Sequence, residues 1–337
     1  MKNVFKLWFI ALTVIIVRPA FAQTEGDFNV DLTQDGSGVV IKGYTGSQRA
    51  VTIPAKIQGY PVKEINDGAF RLDNRVWIAG YGSYDVGYLS DNLSGSNPIS
   101  TRLTSVTIPT GVLSIGHAAF FGQEYLTSVN IPASVTSIGN GAFMGCSSLS
   151  AVNIPASVTS IGNRAFLQCT KLATVNFSEG LVGIGEGAFA ECRALKTLKL
   201  PNSLTNLGRG AFAGSGLTAI TFGTGLTTIR ASTFSVQDMS NGYYRAAPIQ
   251  TIVIPEGVTG IGQSAFRECT QLTSVTLPST LESIGAWAFS GCSALTTVTF
   301  PAKLESVVFY DGVFEGCGKL LLATRAALKK LGWDGEL

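Results

Sequence analysis

Residues 126–146 read LTSVNIPASVTSIGNGAFMGC, and close variants of this stretch return along most of the 337-residue chain. Alanine precedes the phenylalanine of the motif in most copies, and further columns recur in register with it. The phenylalanine recurs at steps that are mostly 23 residues, at Phe70, Phe120, Phe143, Phe166, Phe189, Phe212, Phe234, Phe266, Phe289 and Phe314. Such self-similarity predicts a repeat protein in which each unit stacks on the next. We call one unit a rung.

The first half of a rung has the pattern of a short β-strand. Leu126, Val129 and Ile131 place apolar groups on the inner side of the strand, and the residues between them are polar. Pro132 then ends the strand, because proline has no N–H for the next ladder bond. Repeated side by side, these segments predict one wall of a solenoid.

The second half of a rung carries a shorter apolar pattern. Val135 and Ile138 form a second apolar pair, which predicts a second strand or a turn on the opposite wall. Gly139 recurs in the same place and indicates a tight turn or a positive φ. Phe143 and its equivalents are expected to stack in the core, since a single rung cannot bury its own apolar face. At about 4.8 Å per rung, ten rungs would make a body about 50 Å long.

These columns together resemble the BspA-like leucine-rich repeats, the 23-residue subclass found in many bacterial surface proteins. The resemblance covers residues 51–320 and implies a mainly β leucine-rich repeat solenoid of about ten rungs. It also implies extracellular placement and the binding of host or bacterial partners. Residues 23–50 resemble the N-terminal cap of that family, with a β-hairpin starting at Phe28. The amphipathic pattern from Leu320 to Leu331 predicts a short helix within a C-terminal cap over 321–337.

The first 22 residues have the features of a signal peptide. Lys2 and Lys6 precede the apolar run from Leu7 to Val17, which is too short to span a bilayer. A small-x-small cleavage site follows at residues 20–22, so the mature chain is expected to start at Gln23. The formal charge then changes from +2 to −1, because residues 1–22 hold three basic residues and no acid. We therefore expect a secreted or cell-surface protein without a membrane span, although an uncleaved anchor is the alternative.

The composition argues against several classes of function. A net charge of +2 gives no strongly basic surface, so nucleic acid is not an expected partner. His117 is the one histidine of the chain, which removes most catalytic triads and nearly all histidine-based metal sites. The segment GIGEG at 183–187 resembles part of a dinucleotide loop, but the glycine turn of a rung explains it. We expect no cofactor, no metal and no catalytic residues.

Six cysteines stand in one column, three residues after the phenylalanine of their rungs: Cys146, Cys169, Cys192, Cys269, Cys292 and Cys317. Other rungs fill this column with Asp73, Gln123, Ser215 or Gln237. Disulfides are the usual interpretation for an exported chain with six cysteines. Stacked equivalent residues have parallel Cβ vectors, which is poor disulfide geometry. We therefore predict buried free thiols.

Two insertions interrupt the repeat, at about 71–102 and about 235–250. Both leave the solenoid along the same edge, and insertions in repeat proteins often form the binding face. Aromatic residues and arginine among Gly, Ser and Asn are typical of interaction loops. The candidate partner-binding residues are Arg71, Arg75, Trp77, Tyr81, Tyr84, Tyr88, Tyr243, Tyr244 and Arg245. The alternative is that these insertions pack back onto the solenoid.

The outward residues of the predicted strands are small, neutral and rich in hydroxyl groups, as in Thr174, Asn176 and Thr197. They either provide β-propensity on a solvated sheet or form a shallow surface for a polar polymer. The leading hypothesis is a non-catalytic adhesin or interaction protein that binds an extracellular protein or glycan. The alternatives are a structural envelope or scaffold protein without a specific ligand and, with least support, a hydrolase housed in the insertions. The oligomeric state stays open.

Overall fold

The computed structural model describes residues 23–72, 101–237 and 244–335 of the chain. The predicted signal peptide and most of the first insertion lie outside these residues, as do 238–243 of the second insertion. Strands are numbered in chain order below.

The chain enters the solenoid through a β-hairpin, as predicted. A short 3-10 helix at Glu25–Asp27 leads into β1 (Phe28–Leu32), which pairs antiparallel with β2 (Val39–Tyr44). Strand β2 then pairs in parallel with β5 (Tyr60–Ile65), and β4 (Lys56–Ile57) pairs antiparallel with β5. The hairpin therefore covers the open face of the first rung and continues one of its walls.

One wall of the solenoid consists of strands of three or four residues, which alternate outward polar residues with inward apolar ones. We call it the long-strand wall. Its strands are β3 (Ala50–Thr52), β6 (Ser105–Thr107), β8 (Ser128–Asn130), β10 (Ala151–Ile154), β12 (Thr174–Phe177), β14 (Thr197–Lys199), β16 (Ala219–Thr221), β20 (Thr251–Val253), β22 (Ser274–Thr276) and β24 (Thr297–Thr299). They pair in parallel with equivalent residues opposite each other, in the ladders β3–β6–β8, β10–β12, β14–β16 and β20–β22–β24.

The opposite wall consists of two-residue strands and confirms the second strand of the repeat. Its members are β7 (Ser114–Ile115), β9 (Ser137–Ile138), β11 (Ser160–Ile161), β13 (Gly183–Ile184), β15 (Asn206–Leu207), β17 (Thr228–Ile229), β21 (Gly260–Ile261), β23 (Ser283–Ile284) and β25 (Val308–Phe309). In this wall β5, β7, β9, β11, β13 and β15 pair in parallel and extend the sheet of the cap, and β17, β21, β23 and β25 form a second parallel sheet.

The third side of each rung, which we call the turn side, is a tight turn around the Ala-Phe pair. Its backbone bonds run between rungs, for example from the Phe143 N–H to the Ala165 carbonyl at 2.8 Å. The ten phenylalanines form the predicted column, with neighbouring ring centroids between 5.0 and 6.0 Å apart. All ten are buried, and the column lies within the larger of two hydrophobic clusters of the described residues.

The recurrent glycine has a different physical reason from the positive φ that we considered. A Cβ on Gly139 would lie 2.6 Å from the carbonyl carbon of Gly116 in the preceding rung. A Cβ on Gly162 would lie 2.6 Å from the carbonyl carbon of Gly139 in the same way. The left-handed residue comes two positions later, at Gly141 with φ 61° and at Arg164 with φ 57°. The recurrent glycine therefore allows neighbouring backbones to approach closely.

The last rung is closed by a helix, α1 (Leu322–Lys330), within the predicted segment Leu320 to Leu331. The second insertion forms an antiparallel hairpin of β18 (Ser235–Gln237) and β19 (Tyr244–Ala246). Gln237 is exposed on this hairpin, so it does not fill the buried cysteine column as the alignment of rungs suggested. Of the helices in the described ranges, none is long and apolar enough to cross a membrane.

Candidate functional site

The cysteine column is a structural feature of the core. All six thiols are free and buried, as predicted, and five donate to the carbonyl of a phenylalanine in the preceding rung; Cys146 Sγ lies 3.3 Å from the Phe120 oxygen. Burial raises the pKa of the Cys146 thiol, so it stays protonated and unreactive. Across the described ranges, no group of three or more His, Cys, Asp or Glu residues could hold a metal ion.

Gln123 shows why this column tolerates polar replacements. It is fully buried where a cysteine stands in other rungs. Its Nε2 donates to the Phe70 carbonyl at 2.7 Å, and its Oε1 accepts from the Leu103 N–H at 2.8 Å. The amide thus donates to a phenylalanine carbonyl as the cysteines do. It also accepts from the backbone N–H of Leu103, where the chain returns from the first insertion.

Two predicted site residues of the second insertion are engaged with the solenoid. Arg245 Nη1 lies 3.1 Å from Glu191 Oε1, and Arg193 Nη2 lies 2.8 Å from Glu191 Oε2. The Glu191 side chain is only 3% exposed. The Arg267 guanidinium stands over the Tyr244 ring, 4.4 Å from its centroid. Strand β19 is therefore fastened to the turn side by one buried carboxylate and one cation–π contact.

The remaining predicted site residues are not brought together within the described residues. Arg71 is half-buried on the turn side of the first rung, six rungs from the hairpin of the second insertion. The others lie outside the described residues: Arg75, Trp77, Tyr81, Tyr84, Tyr88 and Tyr243. Trp287 carries no sequence signal of a site, yet it belongs to this cluster. Its ring centre lies 5.7 Å from the same Arg267 guanidinium that contacts Tyr244.

A groove opens on the long-strand wall. Its volume is about 580 Å³, and it opens where the strand ladder is interrupted between β12 and β14. Phe177 stands where Ile154 stands in the preceding rung, and Ser178 replaces the strand-ending proline. The half-buried Phe177 ring packs edge-on against Phe189 at 5.7 Å. We call this cavity the wall groove.

The wall groove combines polar edges with an apolar floor. Its exposed polar residues are Thr174, Asn176, Glu179, Thr197, Lys199 and Thr221. Phe177 and the buried Val175 and Leu198 form the floor. Such a combination matches a ligand that presents hydroxyl or amide groups along with apolar faces.

Glu179 lies at one end of the wall groove and is held by backbone. Its carboxylate accepts from the Asn202 N–H at 3.1 Å and from the Ser203 N–H at 3.0 Å. These bonds lower the pKa of Glu179 below its ordinary value. Glu179 therefore remains ionised and connects two rungs, so its role is structural.

Many other hydroxyl groups of the repeat are occupied by bonds between rungs. Thr127 Oγ1 donates to the Thr104 carbonyl at 2.9 Å, and Ser134 Oγ donates to the Val112 carbonyl at 2.7 Å. The outward hydroxyls of the long-strand wall differ: those of Thr174, Thr197 and Thr221 at the groove have no hydrogen-bond partner among the described residues, and neither have those of Ser128 and Thr251 elsewhere on this wall. The groove hydroxyls are consequently available to a ligand.

Comparison with known families fits this architecture. The sequence model described as the BspA type leucine rich repeat region matches residues 99–193, 175–243 and 237–325, which together exceed half of the chain. The chain belongs to the BspA-type leucine-rich repeat family. The family assignment confirms the resemblance that the repeat columns indicated. No curated protein sequence matches the chain.

Two solved structures share the fold of this chain, and a third covers nearly its whole length. The pneumococcal vaccine antigen PcpA is 21% identical with a TM-score of 0.56, over 87% of this chain and 78% of that chain. A leucine-rich repeat protein from Bacteroides ovatus is 23% identical with a TM-score of 0.51, over 89% and 81% of the two chains. A leucine rich cell surface protein from Faecalibacterium prausnitzii is 23% identical with a TM-score of 0.35, over 94% and 99%.

Proposed function

We propose that this BspA-type protein is exported and binds an extracellular protein or glycan without chemistry, through the wall groove. The observation that carries the proposal is the set of unpartnered hydroxyls of Thr174, Thr197 and Thr221 around the groove. The signal-peptide pattern of residues 1–22 supports export and surface display or secretion. The family assignment supports a binding role rather than a catalytic one.

The groove suits a polar polymer because its donors and acceptors are held at a fixed spacing. Paired strands such as β14 and β16 lie about 4.8 Å apart, and each groove hydroxyl stands on a strand that the core holds in place. Such preorganisation reduces the entropy lost on binding. The apolar floor at Phe177 can pack against the C–H face of a sugar ring or an apolar side chain. Each rung contributes little binding free energy, so a useful affinity requires a ligand that contacts several rungs.

The insertions remain a second proposed contact. Trp77, Tyr81 and Tyr84 are rigid aromatic residues of the kind that dominate binding energy at interfaces. Tyr244 and Arg245 contribute differently, because both already contact the solenoid. We propose that Tyr244 and Arg245 hold the hairpin in place. The proposed partner contacts in the insertions are then Arg75, Tyr88 and Tyr243, together with Trp77, Tyr81 and Tyr84.

The test uses the mature chain from residue 23 against immobilised matrix proteins and a neutral and acidic glycan panel. For an identified partner, Thr174→Ala/Thr197→Ala should weaken binding about tenfold or more, since each lost hydrogen bond is worth about 1 kcal/mol. Ser128→Ala/Thr251→Ala is the matched control, because both residues are exposed on the same wall outside the groove. Binding at this groove, where the opposite charges of Lys199 and Glu179 leave no net charge, should change little between low and physiological salt.

The insertion variant Trp77→Ala/Tyr81→Ala separates the two proposed contacts. Loss of binding in this variant alone would move the site from the wall groove to the first insertion. Equal binding by all variants would contradict both contacts. A chain that binds no member of the panel but self-associates would instead support the structural envelope alternative, and turnover of a panel member would support the hydrolase.

A further inference from the structure

Two arginines and a tyrosine from three successive rungs meet at the beginning of the long-strand wall. Arg49 precedes β3, Arg102 precedes β6, and Tyr125 precedes β8. The guanidinium carbon of Arg49 lies 5.3 Å from the centre of the Tyr125 ring, and that of Arg102 lies 5.5 Å from it. A single ring therefore orients two cations on a chain that otherwise has few charges.

These residues line a recess of about 430 Å³ together with Ser47 and Thr101. We call it the arginine pocket. Arg49 Nε donates to the Arg102 carbonyl at 2.8 Å, which fixes the orientation of the Arg49 guanidinium. Thr101 Oγ1 donates to the Gly46 carbonyl at 2.8 Å, so its oxygen can accept a further hydrogen bond. The pocket lining contains no acidic residue among the described part of the chain.

The charge of the arginine pocket is only partly compensated. Glu124 Oε1 lies 3.9 Å from Arg102 Nε, and both side chains are about half exposed, so this ion pair is weak. Within the described residues, Arg49 has no carboxylate partner. Two guanidiniums with one distant carboxylate leave a local positive charge and several N–H donors facing solvent. An oxyanion from outside the chain would balance this charge and accept hydrogen bonds from these donors.

We propose that the arginine pocket binds the anionic group, a carboxylate or a sulfate ester, of an acidic polysaccharide. The guanidiniums supply charge-assisted donors to the anion, and Ser47 and Thr101 offer hydroxyl oxygens to the neighbouring sugar hydroxyls. Tyr125 is 42% exposed and presents ring surface to the sugar. A polysaccharide fits better than an acidic protein surface, because the lining contains no aliphatic residue that a protein interface would bury.

This site is independent of the wall groove. It lies where the chain enters β3, β6 and β8, whereas the groove lies on β12, β14 and β16. The two sites also differ in how they respond to salt. Binding in the arginine pocket is electrostatic at an exposed surface and weakens as salt rises, whereas binding in the neutral groove does not.

The test measures affinity of the mature chain for a sulfated heparin oligosaccharide, an oligogalacturonate and a neutral maltooligosaccharide by calorimetry at two salt concentrations. Binding of at least one acidic oligosaccharide, and not of the neutral one, is expected. The sulfated and carboxylated probes distinguish the two anions. Arg49→Ala and Arg102→Ala should each weaken that binding at least tenfold, while Arg209→Ala, at an exposed arginine elsewhere, should leave it unchanged.

The Glu124→Gln variant should bind the acidic probe more tightly, and a misfolded protein would not show such a gain. Removing the carboxylate that pairs with Arg102 should tighten binding of the acidic probe about two- to fivefold at low salt. Absence of binding to both acidic probes would overturn the proposal and leave the wall groove untouched. Binding that survives both arginine substitutions, or binding of poly-glutamate in preference to the oligosaccharides, would overturn it as well.

Discussion

Trp333 closes the aromatic column against Phe314, with ring centroids 5.6 Å apart and an angle of 86° between the ring planes. At the other end of the solenoid Tyr44 lies 5.9 Å from Phe70. Each end of the column is thus covered by an aromatic residue from outside the repeat. A repeat unit cannot cover its own outer face, so these caps are necessary for the terminal rungs to stay folded.

Replacing Trp333 by alanine should destabilise the C-terminal cap. The side chain is buried, so the loss should be about 3–5 kcal/mol, which is the range for large aromatic residues in cores. Because rungs interact mainly with their neighbours, hydrogen exchange should speed up most in α1 and the last two rungs. Urea unfolding with amide exchange measures both. Trp333→Phe is the control and should lose less; an unchanged exchange pattern would mean that Trp333 is not a cap.

The six cysteines should resist thiol reagents in the folded protein. Burial raises the pKa of the Cys269 thiol, and the column is closed to solvent. We expect no labelling of the native mature chain and six labels after denaturation, measured by mass spectrometry. The unlabelled mass should be that of the fully reduced chain. Two or more native disulfides would contradict the column.

The sequence predicts those features of the molecule that recur with the period of the rungs. The phenylalanine and cysteine columns repeat at the same place in each rung, so their stacking follows from the period alone. The role of Gly139 needed the distance between two backbones, which no single rung contains. The caps at Tyr44 and Trp333 stand outside the repeat and carry no periodic signal.

The two cavities were harder to predict for a related reason. The wall groove depends on a ladder that opens between β12 and β14, and the local sign of it is Phe177-Ser178, where most rungs have an aliphatic residue followed by proline. The arginine pocket joins Arg49 and Tyr125 across the first insertion. An insertion changes the spacing of the residues around it, so the repeat period does not reveal that they are neighbours.

Glu191 should control the position of the second insertion. Its buried carboxylate contacts Arg193 and Arg245, so Glu191→Ala removes the carboxylate that joins the hairpin to the turn side. We expect a loss of about 1–3 kcal/mol and faster amide exchange in β18 and β19 than in the wall strands. Glu191→Gln keeps one acceptor and should lose less. Equal exchange in the wild type and both variants would show that the hairpin is held by Tyr244 and Arg267 instead.

The hairpin of the N-terminal cap should respond to acid through Asp35. Thr33 Oγ1 donates to Asp35 Oδ1 at 2.6 Å, and Ser37 donates to the same oxygen from its N–H and its hydroxyl. The hydrogen bond from Thr33, followed by those from Ser37, lowers the pKa of Asp35 from 3.8 to about 2. A lowered folded-state pKa means that the stabilising contribution is fully present above pH 3.8 and is lost as the pH falls through about 2.

Carbon-13 NMR titration of the Asp35 carboxyl measures this pKa directly. The double variant Thr33→Val/Ser37→Ala removes both side-chain donors, so its Asp35 should titrate closer to 3.8 than in the wild type. Thr52→Val is the matched control, because it removes an exposed hydroxyl outside this turn. A wild-type pKa near 3.8, or a double variant that titrates with the wild type, would contradict the hydrogen-bonded turn. Between pH 3.8 and 2 the amides of β1 and β2 should exchange progressively faster relative to those of the wall strands β10 and β12, since protonated Asp35 accepts hydrogen bonds from Thr33 and Ser37 less strongly.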